Sequence, residues 1–280
     1  MSHTFVVTRS NSVMYALSTM NIWDVISASL ITLSHAIARR VYMLKRSNDR
    51  KVANLVTKSG KQAAIANTFG LPAGKNFSCP GATSICESVC YAGKLEKIFP
   101  TVKVNLLHNW SLLKDADRQT MYTLLSEMIA EFKTDCVKKD APMLFRIHWD
   151  GDFFNDTYAT AWADVIKLNE DVQFWVYTRV KSAALILKDI TNLSLYFSAD
   201  SENVKTAVDL KINSGVRMAY LAKNFAIGQA DVKEMIGRPA AKCPENNKQI
   251  PLISSSGSAC VSCSLCVYSK SDIIFSASKK

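Results

Sequence analysis

The 280-residue chain is 48% hydrophobic and 21% charged, a composition that excludes a disordered or low-complexity protein. Its formal charge of +10 is unevenly placed: residues 1–75 carry ten Lys/Arg against Asp24 and Asp49, and the remainder is close to neutral. Asp24, His35, Arg39 and Arg40 interrupt the hydrophobic stretch near the N-terminus, so no transmembrane helix is expected.

The opening residues MSHTFVVTRSNS lack a charged segment leading into an apolar core, and no secretory leader is expected. Over residues 22–44 the apolar positions Ile22, Val25, Ile26, Leu30, Leu33, Ile37, Val41 and Leu44 recur at helical spacing behind Asn21, which reads as the N-cap of an amphipathic helix. Residues 1–50 are therefore a basic N-terminal extension. A loop rich in Gly, Pro and Cys follows at 69–93, then a long helical region at 102–137. Apolar, β-branched or aromatic runs at 143–149, 172–177, 193–198 and 216–221 read as buried strands, separated by helical patterns at 156–168, 181–190 and 203–212.

Strand and helix alternating in this way require βαβ units with right-handed crossovers, so the fold class is α/β with mostly parallel strands. A complete eight-stranded barrel needs about 250 residues, more than this region supplies, and a partial (β/α) barrel over residues 51–240 is the expectation. Residues 241–280 read as a C-terminal cysteine-rich, cluster-binding extension. In such folds the site lies at the C-terminal ends of the strands, and those ends are polar here: His148-Trp149-Asp150-Gly151-Asp152, Thr178-Arg179, Ser198-Ala199-Asp200-Ser201 and Lys223-Asn224. The bland reading of the same residues is that strand-to-helix loops are polar and cap helices.

Seven of the eight cysteines fall in two groups. Cys79, Cys86 and Cys90 stand in FSCPGATSICESVCYAGK, where three thiolates leave one coordination position open, as a metal that binds a substrate requires. Zinc completed by a distant residue such as His108 competes with an iron–sulfur cluster there. Cys260-x2-Cys263-x2-Cys266, preceded by Cys243-Pro244, supplies four thiolates that close a site. Successive x2 spacing with a remote Cys-Pro favours a [4Fe–4S] cluster, with zinc as the alternative at this C-terminal site. Cys136 has no partner in sequence and reads as a spectator.

The block NTFGLPAGKNFSCPGATSICESVCYAG, with IHWDGDFF, FWVYTR and the terminal CVSCSLC, resembles the phage "gene product 88" family from about residue 51 onward. The C-Y-A ending of the first motif, on an α/β scaffold with a cysteine-rich tail, is also similar to radical S-adenosylmethionine enzymes. That second resemblance implies two [4Fe–4S] clusters, with Cys79, Cys86 and Cys90 holding the one whose open iron binds S-adenosylmethionine. Gly151 and Asp152 would stand at the turn that holds the methionine amino group, with Ser198 on the cofactor side. Tyr177, Arg179, Asp200 and Lys223 would face the substrate. An electron donor is then a required partner, and the basic N-terminal region points to a nucleotide or nucleic-acid substrate. The competing expectation is a non-enzymatic nucleic-acid-binding protein whose clusters or zinc ions are structural. Eight cysteines without a leader fit a reducing compartment, the host cytosol for a phage-encoded protein.

Overall fold

The structure, a computed structural model, describes residues 42–278. The chain divides into two units, Met1–Met43 and Leu44–Lys280, and the second contains every element named below. The helix expected over residues 22–44 lies, except for its last three positions, outside the described residues.

The second unit opens with an antiparallel hairpin of β1 (Asn54–Val56) and β2 (Gln62–Ala64) and continues into β3 (Thr68–Gly70). Two short helices, α1 (Ser84–Val89) and α2 (Tyr91–Ile98), follow Cys79, with Cys86 in α1 and Cys90 between them, and α3 (Pro100–Leu113) and α4 (Arg118–Lys138) come next. The helical stretch expected at 102–137 is thus two helices. Asp117 turns to extended backbone, and its carboxylate accepts the amide of Thr120 at 2.7 Å, which restarts the chain as α4.

The βα rhythm appears close to where the periodicity puts it. β4 (Leu144–Asp150), α5 (Asp156–Leu168), β5 (Gln173–Thr178), α6 (Lys181–Leu187), β6 (Leu193–Ala199), α7 (Val204–Ser214), β7 (Arg217–Ala222) and α8 (Phe225–Ile236) follow in turn. The tail adds β8 (Ala241–Lys242), β9 (Ile253–Ser254), β10 (Gly257–Ser258), α9 (Ala259–Cys263) and β11 (Ile273–Ser276). The main sheet has seven strands in the order β3-β4-β5-β6-β7-β11-β8, and every pairing within it is parallel. It runs from β3 at one edge to β8 at the other.

Alternation along the strands sends Phe145, Ile147, Phe174, Val176, Leu195 and Phe197 to one face, where they are buried in the main core. Trp162 of α5 anchors that face, its ring in contact with Phe69, Phe145 and Phe174. Burying each such side chain contributes roughly 1.5–3 kcal/mol. The opposite face carries Arg146, Trp175 and Ser194 in one register row and Tyr177, Tyr196 and Arg217 in the next. The cysteine-rich tail covers it: Ser194 Oγ donates to the carbonyl of Val267 at 2.7 Å, and Tyr196 OH donates to that of Ser271 at 3.0 Å.

The N-terminal and C-terminal portions of this unit are bound to each other. Ser258 Oγ donates to the carbonyl of Arg50 at 2.8 Å and accepts the amide of Asn54 at 3.0 Å, and the Cys260 amide donates to the carbonyl of Lys51 at 2.9 Å. Residues 44–50 belong to the same compact unit as the sheet.

Candidate functional site

The first cysteine group follows the first strand of the parallel sheet and lies over the C-terminal ends of its neighbours. Beyond β3 the chain is pinned to β4 by the Leu71 amide, which donates to the carbonyl of Asp150 at 3.0 Å. The loop then folds back on itself, with the amides of Phe77 and Cys79 both donating to the Gly74 carbonyl. Thr83 caps α1 by accepting the Cys86 amide at 3.0 Å, and Cys90 caps α2, its sulfur accepting the Gly93 amide at 3.3 Å. Gly81 lies against the backbone of Arg179: a Cβ there would come within 2.5 Å of the Arg179 carbonyl oxygen.

Three carboxylates organise the rim beneath this loop. Asp152 is buried, and both its oxygens are taken by protein donors: Thr178 Oγ1 at 2.6 Å and the Phe153 amide at 2.7 Å on one, the Arg179 amide at 2.8 Å on the other. Burial raises its pKa from 3.8 to about 6, with those hydrogen bonds opposing the shift. Asp200 is fully buried and accepts Arg179 Nη1 at 2.7 Å and Thr83 Oγ1 at 2.5 Å, joining the cysteine loop to β5 and β6. Asp150 differs: neither of its buried oxygens has a well-formed hydrogen bond from an N–H or hydroxyl. Its neighbour is the Glu96 carboxyl, and burial together with that acidic neighbour raises the Asp150 pKa above the usual carboxylate range.

The thiols respond to these surroundings. Burial and the nearby Asp152 charge push Cys79 up to about 12. Burial also raises Cys86, which lies within electrostatic reach of Arg179, Cys90, Asp200 and Asp152. The left-handed conformation of His148 (φ 56°) accompanies a register shift in which Thr68 and Gly70 oppose Arg146 and Asp150. His148 is thereby turned into the core, with Nε2 2.9 Å from Tyr158 OH, and burial pushes its pKa down to about 3. It is a neutral core histidine and takes no part in the polar rim.

The second cysteine group gathers on the opposite face of the sheet. Cys243 follows β8, its amide donating to the Ile274 carbonyl at 2.9 Å, and it packs with Cys266 against Tyr196, Ala219 and Ile273. Cys260 feels the charges of Cys266 and Cys243, and Cys266 feels those of Cys243 and Cys263, so all four thiols share one neighbourhood. Burial and these like charges push Cys260 and Cys266 up to about 12.

Of the expected substrate-facing residues, the structure joins only Arg179 and Asp200. Tyr177 is on the sheet face with the second cysteine group, and Lys223 is exposed beyond β7. Gly151 (φ 80°) is closed over by Leu71, with its missing Cβ 2.8 Å from the Leu71 carbonyl oxygen, and the Ser198 carbonyl accepts Asn203 Nδ2 at 3.1 Å. Cys136 is buried in the core. Two cations of the basic N-terminal region are engaged within the fold: Arg46 pairs with Asp135 at 2.7 Å and Glu131 at 3.2 Å, and Lys51 with Glu245 at 2.8 Å.

Sequence reasoning named Asp150 only as part of a polar strand end and passed over Glu96, Thr83, and above all Arg146, whose only signal was a basic residue inside the strand LFRIHWD. Among the described residues, no three His, Cys, Asp or Glu side chains stand close enough as placed to hold a metal ion. The donor chemistry nonetheless fits one. Burial suppresses the ionisation of Cys79 and Cys86 in the first group and of Cys243, Cys260 and Cys266 in the second, the condition that a bound cation relieves.

Fold and site together define a parallel α/β protein with one cysteine loop on its C-terminal rim and a second cysteine group on its sheet face. The sequence model of the Gene product 88 family matches residues 42–269, and the chain belongs to that family. It is 54% identical over 242 residues to the "Gene 88 protein" of Mycobacterium phage L5, covering 85% of this chain and 99% of that protein. The "Gene 88 protein" of Mycobacterium phage D29 is likewise 54% identical, over 243 residues, with the same coverage. No solved structure matches the chain. No helix among the described residues is long and apolar enough to cross a membrane.

Proposed function

We propose that this chain is an iron–sulfur enzyme of the radical S-adenosylmethionine type, acting on a nucleotide or nucleic-acid substrate. One observation carries the reading: a loop with three cysteines follows the first strand of a parallel sheet and is clamped over the C-terminal ends of the next strands by the Thr83, Arg179 and Asp200 contacts. That is where ligands bind in folds of this class. Cys79, Cys86 and Cys90 would hold a [4Fe–4S] cluster, and Cys243, Cys260, Cys263 and Cys266 a second, closed one. When bound, the open cluster supplies the one-electron reduction that cleaves the sulfonium of S-adenosylmethionine.

The chain's own residues prepare the site. Asp152 spends both oxygens tying β4 to β5, so it sets the height of the rim on which the loop rests. Arg179 holds the loop through Thr83 Oγ1 at 3.2 Å while its charge eases ionisation of Cys86. Asp150 is buried at the same rim, with both oxygens and the neighbouring Trp149 Nε1 lacking a well-formed hydrogen bond.

The test is an anaerobic preparation assayed for iron, sulfide and zinc and then titrated with S-adenosylmethionine. About eight iron atoms per chain are expected for two cubane clusters, with a reduced paramagnetic signal that shifts on adding the cofactor and slow release of 5′-deoxyadenosine. Zinc without iron or sulfide would leave a binding protein with structural metals. Full iron with no response to the cofactor would retain the clusters and remove the enzyme.

A further inference from the structure

Arg146 is a buried guanidinium on the sheet face, and it touches both cysteine neighbourhoods. Nη1 pairs with Asp49 Oδ2 at 2.6 Å, with both side chains largely out of solvent. Nη2 reaches the hydroxyl of Tyr91 at 3.4 Å, and that hydroxyl donates in turn to the Trp149 carbonyl at 2.8 Å. Tyr91 is the residue after Cys90. On the other side the guanidinium carbon is 5.7 Å from the ring centre of Tyr177, whose hydroxyl neighbours the Cys266 thiol and eases its ionisation. Nε of Arg146 is buried with no acceptor. A buried cation with a spare donor, set among thiols, is arranged for a soft anionic acceptor.

We propose that Arg146 is a positioning residue shared by the two cysteine groups, supplying the counter-charge for the four-cysteine group through its Tyr177 side and fixing Cys90 through its Tyr91 side. The inference rests on the reading that both groups hold iron–sulfur clusters. It adds that their properties are linked through one side chain. Asp49 completes the arrangement by holding the guanidinium in place, which gives the segment before β1 a part in both sites.

The experiment is a redox titration with dithionite, followed by electron paramagnetic resonance, on the iron-loaded full chain and three variants. Tyr177→Phe removes only the hydroxyl facing Cys266 and should move the four-cysteine cluster to a more negative midpoint, because hydrogen bonds to sulfur and nearby positive charge favour the reduced state. Tyr91→Phe should alter the signal of the three-cysteine cluster and leave the other midpoint in place. The double change Asp49→Asn with Arg146→Gln removes both charges of the pair and should move both clusters; its iron content shows whether it has folded. Should the double variant fail to fold, the two Phe variants decide alone. Iron-loaded variants whose midpoints and signals match the parent overturn this inference and leave the proposed function standing. A parent chain that takes up no iron overturns both.

Discussion

Asp150 and Asp152 are two residues apart on one strand end and live in different circumstances. Asp152 is satisfied by three donors, whereas Asp150 is buried beside Glu96 with no well-formed hydrogen bond of its own. The pKa of Asp150 in the fold is above its unfolded value, so its contribution is present at low pH and is lost as pH rises through the raised value. Asp150→Asn keeps the shape and removes the charge. It should stabilise the protein by about 1–3 kcal/mol at about pH 8 and have little effect near pH 4, as measured by denaturant unfolding at the two pH values. A variant less stable than the parent at the higher pH would show that the carboxylate has a partner that the burial argument misses.

At the scale of elements, the three-cysteine loop is held in place by shape as much as by hydrogen bonds. Gly81 meets the Arg179 backbone, which cannot retreat without moving the end of β5. Gly81→Ala should therefore lift the loop, costing about 1–3 kcal/mol in thermal or denaturant stability and reducing iron retention by roughly half, since only the three-cysteine cluster is affected. Gly215 provides the control. It ends α7 in the left-handed region (φ 68°) with open space around it, so Gly215→Ala should cost only about 1 kcal/mol and leave the iron unchanged.

The whole second unit depends on its first residues. Arg46 pairs with α4, Asp49 with Arg146 and Lys51 with Glu245, while the carbonyls of Arg50 and Lys51 receive the tail. A chain starting at Leu44 keeps all of these pairs. One starting at Lys51 leaves Arg146 buried without its carboxylate, and removing one partner of a buried pair costs about 3–5 kcal/mol. Calorimetry on the two truncations checks this: equal melting temperatures would mean that residues 44–50 only decorate the fold.

By itself the sequence determined the α/β class, the four central strands to within a residue or so, and the division of seven cysteines into two groups. Those signals are local: hydrophobic period, β-branched runs and cysteine spacing are all written within a few residues of one another. Only the tertiary structure decided which strands complete the sheet, because β3, β8 and β11 are two to four residues long and exist through their parallel partners rather than through any pattern of their own. It also separated Tyr177 from Arg179 and Asp200. Residues two apart on a strand share a face until the strand ends, and Arg179 lies just beyond the end of β5, where the chain turns over the rim. The basic residues near position 50 look solvated in sequence because their carboxylate partners are 85 to 194 positions away. Charge pairing over such distances depends on how the sheet brings the chain together, and no local pattern records it.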